Sequence, residues 1–411
     1  MLERGAGQVL TVNGEAGIGK SRLMAEWQAE LRGRVQWLEG RAFAYTGGLA
    51  YGPFLDLFRR YAGISDDASE AQTRLRMHQV VDRFFPGDVE ARAIWARMLA
   101  MPHSDEEARA LSAVPPEMVR HRLIALFERV FECLAGEQPA VLVIEDLHWS
   151  DPSSLDLIQR LLPLTRRVPL AIACVFRPGV QALDRLQQVI AEQYRDRHLA
   201  IRLEALEEAA STAMVRQLLT LSELPESLRT LIVNKAEGNP FFLEEVIRAL
   251  IERGALVRAE AGQGWTTTPL IEAVSVPDTL QGVLMARLDR LPAETKWVVQ
   301  QASVIGRTFL YRVLARLAER AAGLDADLVH LEREELIRER ARDPEVEYVF
   351  KHALTQEVAY QSLLVPRRRE LHARVGDALA SLFPERLDEF SSVLGEHFLR
   401  AEEWEQAVQY L

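Results

Sequence analysis

A glycine-rich segment near the start of the chain has the composition and spacing of a loop that binds phosphate. It reads GEAGIGKS over residues 14–21, after a β-prone run at 8–13 and before a stretch with helical apolar spacing. Glycines let backbone N–H groups turn toward phosphate oxygens, and the helix start adds partial positive charge. Lys20 would place its ammonium on the β- and γ-phosphates, and Ser21 would offer its hydroxyl to Mg²⁺.

The segment therefore predicts a site for ATP or ADP with Mg²⁺. We expect the nucleotide to contact the whole loop and the residue after it: Gly14, Glu15, Ala16, Gly17, Ile18, Gly19, Lys20, Ser21 and Arg22.

Two acidic residues follow a buried strand in the middle of the chain. Residues 141–144 are four consecutive apolar residues, typical of a parallel sheet, and Glu145 and Asp146 come directly after them. Beside a phosphate loop, acids at the carboxyl end of a strand hold Mg²⁺ and polarise the attacking water. We therefore expect a metal site of Ser21, Glu145 and Asp146, with both acids catalytic. The order Glu-Asp leaves open which acid serves the metal and which the water.

A basic residue ends the next strand. The run at 169–176 is apolar, and Arg177 follows it, where a guanidinium can reach the γ-phosphate across the cleft. We name Arg177 as a third catalytic candidate, with a surface arginine that starts a Pro-Gly loop as the alternative. His148 and Trp149 follow the acid pair, and such a pair more often packs than takes part in chemistry.

The elements that must position these residues form one pattern. Strands at 8–13, 141–144, 169–176 and 199–206 predict a parallel sheet, and the spacing from Lys20 to Glu145 leaves room for a mostly helical insertion at about 50–135. We predict an α/β P-loop NTPase core of the ASCE/AAA-like type.

Composition bounds the classes of protein that this chain can be. It has 411 residues, which predicts two to four domains, and its 48% hydrophobic and 27% charged residues are ordinary for a globular protein. No apolar run approaches the ~20 residues needed to span a bilayer. Two cysteines make no disulfide framework and no zinc site, and the first residues do not read as a signal peptide, so we expect a cytoplasmic protein without membrane contact. With a net charge of −11, the chain has no overall positive charge that would attract nucleic acid.

Four segments in order resemble the STAND class of signal-transduction ATPases: residues 14–23, 141–158, 175–178 and 236–250. The similarity is to the bacterial branch with an AAA-type, Orc1-like module. That branch is fused to adenylate/guanylate cyclase domains or LuxR-type regulators, with tetratricopeptide repeats (TPR) downstream. The resemblance extends over essentially the whole chain.

The resemblance implies an order of domains and two more site residues. Pro240, within Gly238-Asn239-Pro240, would lie against the nucleotide, and His352 would lie near the β-phosphate. From the residues alone, Pro240 can equally be the first residue of an ordinary helix. His352 can equally be a histidine that is hydrogen-bonded by its neighbours and has no role at the nucleotide. Family members carry a Val-Gly-Arg segment ahead of the first strand that this chain lacks, so adenine contacts are not predicted. The implied domains are a nucleotide-binding core at 1–205, an all-α lid at 206–273, a winged helix at 274–365 and the start of a helical-repeat array at 366–411.

We consider three functions. The first is an ATP-binding signalling switch whose nucleotide state controls domain arrangement and output, with slow hydrolysis of ATP by water to ADP and phosphate. It would bind protein partners through the C-terminal helical segment and self-associate in a nucleotide-dependent way. The second is a DNA-binding Orc1-like ATPase, and the third a ring-forming AAA-type remodeller.

Charge argues against direct DNA binding. Residues 274–365 hold 12 Lys and Arg against 14 Asp and Glu, a net of −2. The expected recognition helix, 324–336, holds one Arg against five acids, a net of −4. A helix with that charge is repelled by a major groove.

Overall fold

The structure is a computed structural model. It describes residues 6–42, 50–64, 70–99, 101–219, 232–258, 265–272, 277, 279–318, 323–341, 346–384 and 387–410. Within these ranges, no helix combines the length and the apolar character that a bilayer crossing requires.

A five-stranded parallel sheet forms the first part of the chain, with strand order β2-β3-β4-β1-β5. The strands are β1 Gln8–Asn13, β2 Gln36–Arg41, β3 Ala140–Glu145, β4 Leu170–Phe176 and β5 His198–Arg202. β3 and β4 are buried along their whole length, as expected when helices cover both faces of a parallel sheet. The predicted parallel sheet is confirmed. Its order brings the carboxyl ends of β3, β4 and β1 side by side.

The last strand is shorter than the predicted 199–206. β5 ends at Arg202, and the Leu203 N–H still donates to Asn13 O over 2.8 Å. The chain then leaves the sheet, because the Leu206 N–H donates to Gly238 O at 2.8 Å instead. That partner is distant in sequence, so strand propensity alone extends β5 too far.

Helices surround this sheet. They are α1 Lys20–Glu30, α2 Gly52–Ala62, α3 Glu70–Phe84, α4 Val89–Met98, α5 Asp105–Ser112, α6 Pro116–Glu137, α7 Pro152–Leu161 and α8 Asp184–Gln193. Helices α2 to α6 are the predicted insertion between β2 and β3. Its core is aromatic: Trp95 stacks on Phe58 with ring centroids 4.3 Å apart and packs edge-on against Phe127 at 4.8 Å. The same apolar cluster includes residues of β3 and β4, so the insertion is packed onto the sheet.

The segment after the sheet is not wholly helical. It contains α9 Glu208–Leu219 and α10 Pro240–Glu252, and then an antiparallel strand pair, β6 Leu256–Arg258 and β7 Trp265–Thr267. The all-α prediction for 206–273 is therefore wrong in this detail. The strands are three residues each, too short for a period-2 pattern to stand out in the sequence.

The remaining residues form a part that contains both helices and strands, followed by a part that contains helices only. Its elements are α11 Leu280–Asp289, α12 Ala293–Ile305, β8 Thr308–Leu310, α13 Tyr311–Leu317, α14 Leu324–Arg333, β9 Ile337–Ala341, β10 Glu347–Phe350, α15 Ala353–Gln361, α16 Val365–Leu382, α17 Leu387–Ala401 and α18 Trp404–Tyr410. The three strands form an antiparallel sheet of order β8-β10-β9. One apolar cluster runs through buried residues of α9 to α18. The expected boundary between residues 273 and 274 falls outside the described residues.

Candidate functional site

The phosphate loop joins β1 to α1 and has the backbone that its glycines permit. Gly17 and Gly19 have φ of 78° and 103°, in the left-handed region that other residues adopt only with strain. A Cβ on Gly17 would also lie 2.9 Å from both Asn239 Oδ1 and Phe241 Cβ. Glycine at 17 is therefore required by the loop itself and by a segment that packs on it from outside the sheet.

Lys20 is held inside the loop. Its side chain is buried, and Nζ donates to Gly14 O at 2.7 Å and to Glu15 O at 2.8 Å. Burial, reinforced by the charge of Arg177, lowers the pKa of Lys20 to about 8. The ammonium is still mostly protonated at neutral pH, and it already lies over the concave side of the loop where phosphate oxygens would be bound.

The acid pair lies where β3 ends. Ser21 Oγ donates to Glu145 Oε2 at 3.2 Å, and Glu145 is buried. Asp146 has φ of 55° and ψ of 35°, a left-handed conformation that is uncommon for a residue other than glycine. Arg41, at the end of β2, forms an ion pair with Glu145 through Nη2, and its Nε lies 3.8 Å from Asp146 Oδ2. Lys20, Ser21 and two carboxylates are a set of side chains that fits a Mg²⁺-nucleotide.

Two ion pairs connect these strand ends to the part of the chain that follows the sheet. Arg307, just before β8, donates from Nη1 to Asp146 Oδ2 at 3.2 Å. Arg177, just after β4, places Nη1 3.5 Å from Oε2 of Glu357 on α15. All four side chains are between 18% and 32% exposed, so the pairs are only partly screened by water.

The start of α10 is attached directly to the phosphate loop. Asn239 Nδ2 donates to Ala16 O at 2.9 Å, while its Oδ1 caps the helix by accepting from the N–H groups of Phe241 and Phe242. The Phe241 N–H also lies 3.3 Å from Gly17 O. Pro240 is the first residue of the helix, where its fixed φ suits a helix start. The Asn-Pro pair therefore begins the helix and anchors it to the loop.

His352 is connected to the phosphate loop through the ring of Phe241. Its imidazole stacks on Phe241 with centroids 3.9 Å apart and planes 26° apart. Burial, together with the positive charges of Lys351 and Arg307, lowers the pKa of His352 to about 4, so the ring is neutral at pH 7. Phe241 thus contacts both Gly17 and His352.

His148 is a half-buried residue just after the end of β3 whose ring nitrogens are buried. Neither ring nitrogen has a partner among the described residues, and both atoms are buried. Burial lowers the pKa of His148 to about 4, and the charges of Asp146, Arg177 and Lys20 act on it as well. Its neighbour Trp149 packs beside the ring, with centroids 5.2 Å apart.

Most of the residues named from the sequence lie together. Ser21 of the phosphate loop donates to Glu145, Asn239 beside Pro240 donates to Ala16, and His352 stacks on Phe241, which packs against Gly17. Arg22 points elsewhere: its side chain is 80% exposed and pairs with Glu26.

Sequence reasoning missed three residues of the site. Arg41 was detectable, because it ends a strand at the same sheet edge as Glu145. Asn239 was visible as a helix N-cap, but not its bond to Ala16. Arg307 carries no local signal, since only the tertiary fold brings it to Asp146.

Comparison with known proteins identifies the class of the first part. Residues 1–176 match the AAA ATPase domain family, and residues 207–263 match a domain of unknown function, DUF8739. The match is to the first part of the chain alone, and the AAA ATPase family implies nucleotide binding and usually Mg²⁺.

Three known proteins are similar to this chain over most of its length. An uncharacterised protein of Rhizobium meliloti (strain 1021) is 25% identical over 394 residues, 91% of this chain and 35% of that protein. The solved structure of a Signal Transduction ATPase with Numerous Domains (STAND) protein with a tetratricopeptide repeat sensor, from Pyrococcus horikoshii, has a TM-score of 0.54 and 14% identity, covering 98% of this chain and 48% of that one. The Aeropyrum pernix ORC2 protein has a TM-score of 0.36 and 13% identity, covering 93% of this chain and 91% of that one.

At 14% identity, the likeness to the STAND protein is one of fold alone. The chain spans about a third of its curated relative and about half of that solved structure.

Proposed function

We propose that this chain is an ATP-binding switch ATPase in which the nucleotide at the phosphate loop controls how the following elements close on the core. One observation carries the proposal: residues from outside the sheet contact the nucleotide-binding elements directly. Asn239 bonds to Ala16, and Arg307 pairs with Asp146. A ligand that changes the loop or the acid pair must therefore change the stability of these contacts, and the coupling works in both directions.

The proposed domains are those that the family resemblance implies. We take 1–205 as the nucleotide-binding core, 206–273 as a lid that carries Asn239, and 274–365 as a winged helix. Helices α11 to α15 with the antiparallel sheet β8-β10-β9 support the winged-helix interpretation. The region 366–411 is proposed as the start of a TPR-like array.

The proposed partners are proteins. On α18, Trp404 and Val408 are 60% and 78% exposed and one helical turn apart, which supports protein contacts by this segment. Nucleotide-dependent self-association, and a cyclase or LuxR-type output, enter the proposal only through the family that the sequence resembles. DNA binding is not proposed, because α14 lies in the segment with a net charge of −4.

The structure suggests different roles for the two acids. Glu145 accepts from Ser21 Oγ, so we assign Glu145 and Ser21 to the metal. Asp146 faces Arg307, so we assign Asp146 to the attacking water, with Arg177 toward the γ-phosphate. When bound, Mg²⁺ would supply positive charge to the phosphate oxygens.

The same contacts predict that hydrolysis is slow in the closed arrangement. The Asp146 carboxylate accepts a hydrogen bond from Arg307 through Oδ2, so this oxygen is already occupied and is not available to accept a proton from water. Turnover of ATP and water to ADP and phosphate therefore requires the Arg307–Asp146 pair to open. Closure over the loop by Asn239 would at the same time retain ADP.

Binding and shape, measured on one sample, test the proposal. Calorimetry should show Mg²⁺-dependent binding of ADP and ATP, and X-ray scattering should give a larger radius of gyration with a non-hydrolysable ATP analogue than with ADP. The control is Lys20→Ala, which should weaken binding about tenfold or more, show no change of shape at nucleotide concentrations that saturate the wild type, and remain folded. A wild type that binds neither nucleotide would refute the site, and one that binds both without a change of shape would refute the switch.

A further inference from the structure

A cavity lies between the core and the helices that close on it. It measures about 260 Å³. Asp146, Trp149 and Arg177 line it from the core, and Gln356, Tyr360 and Arg368 from the opposite side. Among the described residues that line it, none belongs to the phosphate loop, and neither Pro240 nor His352 is one of them. The cavity is thus distinct from the phosphate loop, and it shares only Asp146 and Arg177 with the residues assigned to the nucleotide.

The charge of its walls favours an anion. Four arginines line it, Arg177, Arg307, Arg368 and Arg400, against two carboxylates, Asp146 and Glu357. Both carboxylates are already paired, with Arg307 and Arg177 respectively.

Arg368 is the exception among these arginines. Its Nε donates to Leu363 O at 2.9 Å and its Nη2 to Gln361 O at 2.8 Å. No carboxylate among the described residues forms an ion pair with it. Backbone carbonyls satisfy hydrogen bonds but do not neutralise the charge, so a positive charge remains at the cavity wall.

The size and the aromatic walls favour an organic anion over a bare ion. A cavity of about 150 Å³ holds benzene, so 260 Å³ suits roughly ten non-hydrogen atoms. Trp149 is 37% exposed, and the Arg368 guanidinium lies 4.8 Å from the centroid of the Tyr360 ring. Such surfaces bind a flat or apolar group beside the charge.

We propose that this cavity binds a small organic anion, a phosphate ester or carboxylate with an apolar group, as a second ligand of the chain. Since its walls come from both sides of the closure, the ligand would bind the closed arrangement and stabilise it. Slower ADP release is the expected consequence. That consequence rests on the proposed function, whereas the binding itself does not.

Calorimetry with phenyl phosphate on the full chain tests the site, with and without saturating Mg²⁺ and ADP. We expect binding in both conditions, and much weaker binding of phenol and of inorganic phosphate, each of which lacks one half of the probe. Arg368→Gln removes the uncompensated charge and should weaken binding roughly tenfold or more. Ala353→Leu keeps every charge and fills the cavity from the start of α15, so it should also abolish binding if Arg368→Gln proves unstable.

Lys20→Ala separates this proposal from the nucleotide site. It should lose ATP affinity and keep phenyl phosphate affinity. Phenyl phosphate binding that disappears with ADP or in Lys20→Ala, and that is indifferent to Arg368→Gln and Ala353→Leu, would place the probe in the phosphate loop and overturn the proposal. No binding by the folded wild type at millimolar probe would overturn it as well. A wild type that binds phenyl phosphate at this cavity but not ATP would refute the proposed function alone.

Discussion

Removing the guanidinium of Arg307 should loosen the closed arrangement and speed the release of ADP. Arg307 Nη1 lies 3.2 Å from Asp146 Oδ2, and the two side chains are 18% and 21% exposed. A charge-assisted hydrogen bond contributes about 1.5–3 kcal/mol when buried and less where water screens it, so about 1–2 kcal/mol is reasonable here. That free energy corresponds to a factor of about 5–30 in an equilibrium. We therefore expect Arg307→Gln to release ADP about 5–30 times faster.

Stopped-flow release of a fluorescent ADP analogue measures this directly. Basal ATP turnover should rise in the same variant, because Asp146 is freed to act on water. Glu357→Gln breaks the other ion pair across the cleft and should act in the same direction. Arg60→Gln is the matched control, since Arg60 pairs with Asp56 within the core and should leave release unchanged. An Arg307→Gln variant that unfolds at the wild-type temperature and releases ADP at the wild-type rate would show that this pair does not hold the closure.

Three further predictions concern the site and the stability of the fold. Lys20→Ala should weaken ATP binding about tenfold or more in calorimetry, because it removes a charge-assisted contact of about 1.5–3 kcal/mol. Glu145→Gln should raise the Mg²⁺ concentration needed for ATP binding, whereas Asp146→Asn should keep ATP bound and slow turnover by about 10²-fold. His372 and His397 are buried and hydrogen-bonded to each other at 2.8 Å, and burial lowers the pKa of both imidazoles. Below the ordinary histidine pKa of 6.5, the unfolded chain therefore binds more protons at these two residues than the folded chain does. Stability should therefore fall as pH drops from about 6.5 toward 5, and His397→Gln should reduce that slope by at most about 1.4 kcal/mol per pH unit in denaturant titrations.

Each of these has a result that counts against it. Equal ATP affinity in wild type and Lys20→Ala would remove the phosphate loop from nucleotide binding. Identical behaviour of Glu145→Gln and Asp146→Asn would contradict the division of roles. A pH slope unchanged by His397→Gln would mean that this histidine titrates alike in the folded and unfolded chain.

The sequence predicted the elements whose causes are local. The glycine spacing of the phosphate loop and the continuous apolar runs of β3 and β4 are dictated by neighbouring residues, and the structure has these elements where they were expected. The end of β5 was misplaced because the Leu206 N–H donates to the carbonyl oxygen of Gly238, which is distant in the sequence. The strands β6 and β7 were missed because three residues do not show a period.

The residues of the site also fall into two groups, those that local sequence predicts and those that only the tertiary fold brings together. Lys20, Ser21, Glu145 and Asp146 could be named because each sits at a fixed place in a strand-loop-helix or strand-end pattern. Arg307 reaches Asp146 only through the packing of elements far apart in the chain, and no spacing rule finds such a pair. His148 was named as packing, and the structure adds that its ring nitrogens are buried and unsatisfied among the described residues.

The central claim is that the nucleotide sets the position of the C-terminal elements relative to the core, and a distance measurement between spin labels tests it most directly. Gln188→Cys on α8 and Glu405→Cys on α18 place labels at exposed positions, in a Cys133→Ala background that leaves only buried Cys174. Pulsed electron resonance would compare Mg²⁺-ADP with a non-hydrolysable ATP analogue. We predict one short distance with ADP and a shift to longer distances with the analogue, absent in Lys20→Ala. The same distance distribution in both states, in protein shown by calorimetry to bind both nucleotides, would contradict the account.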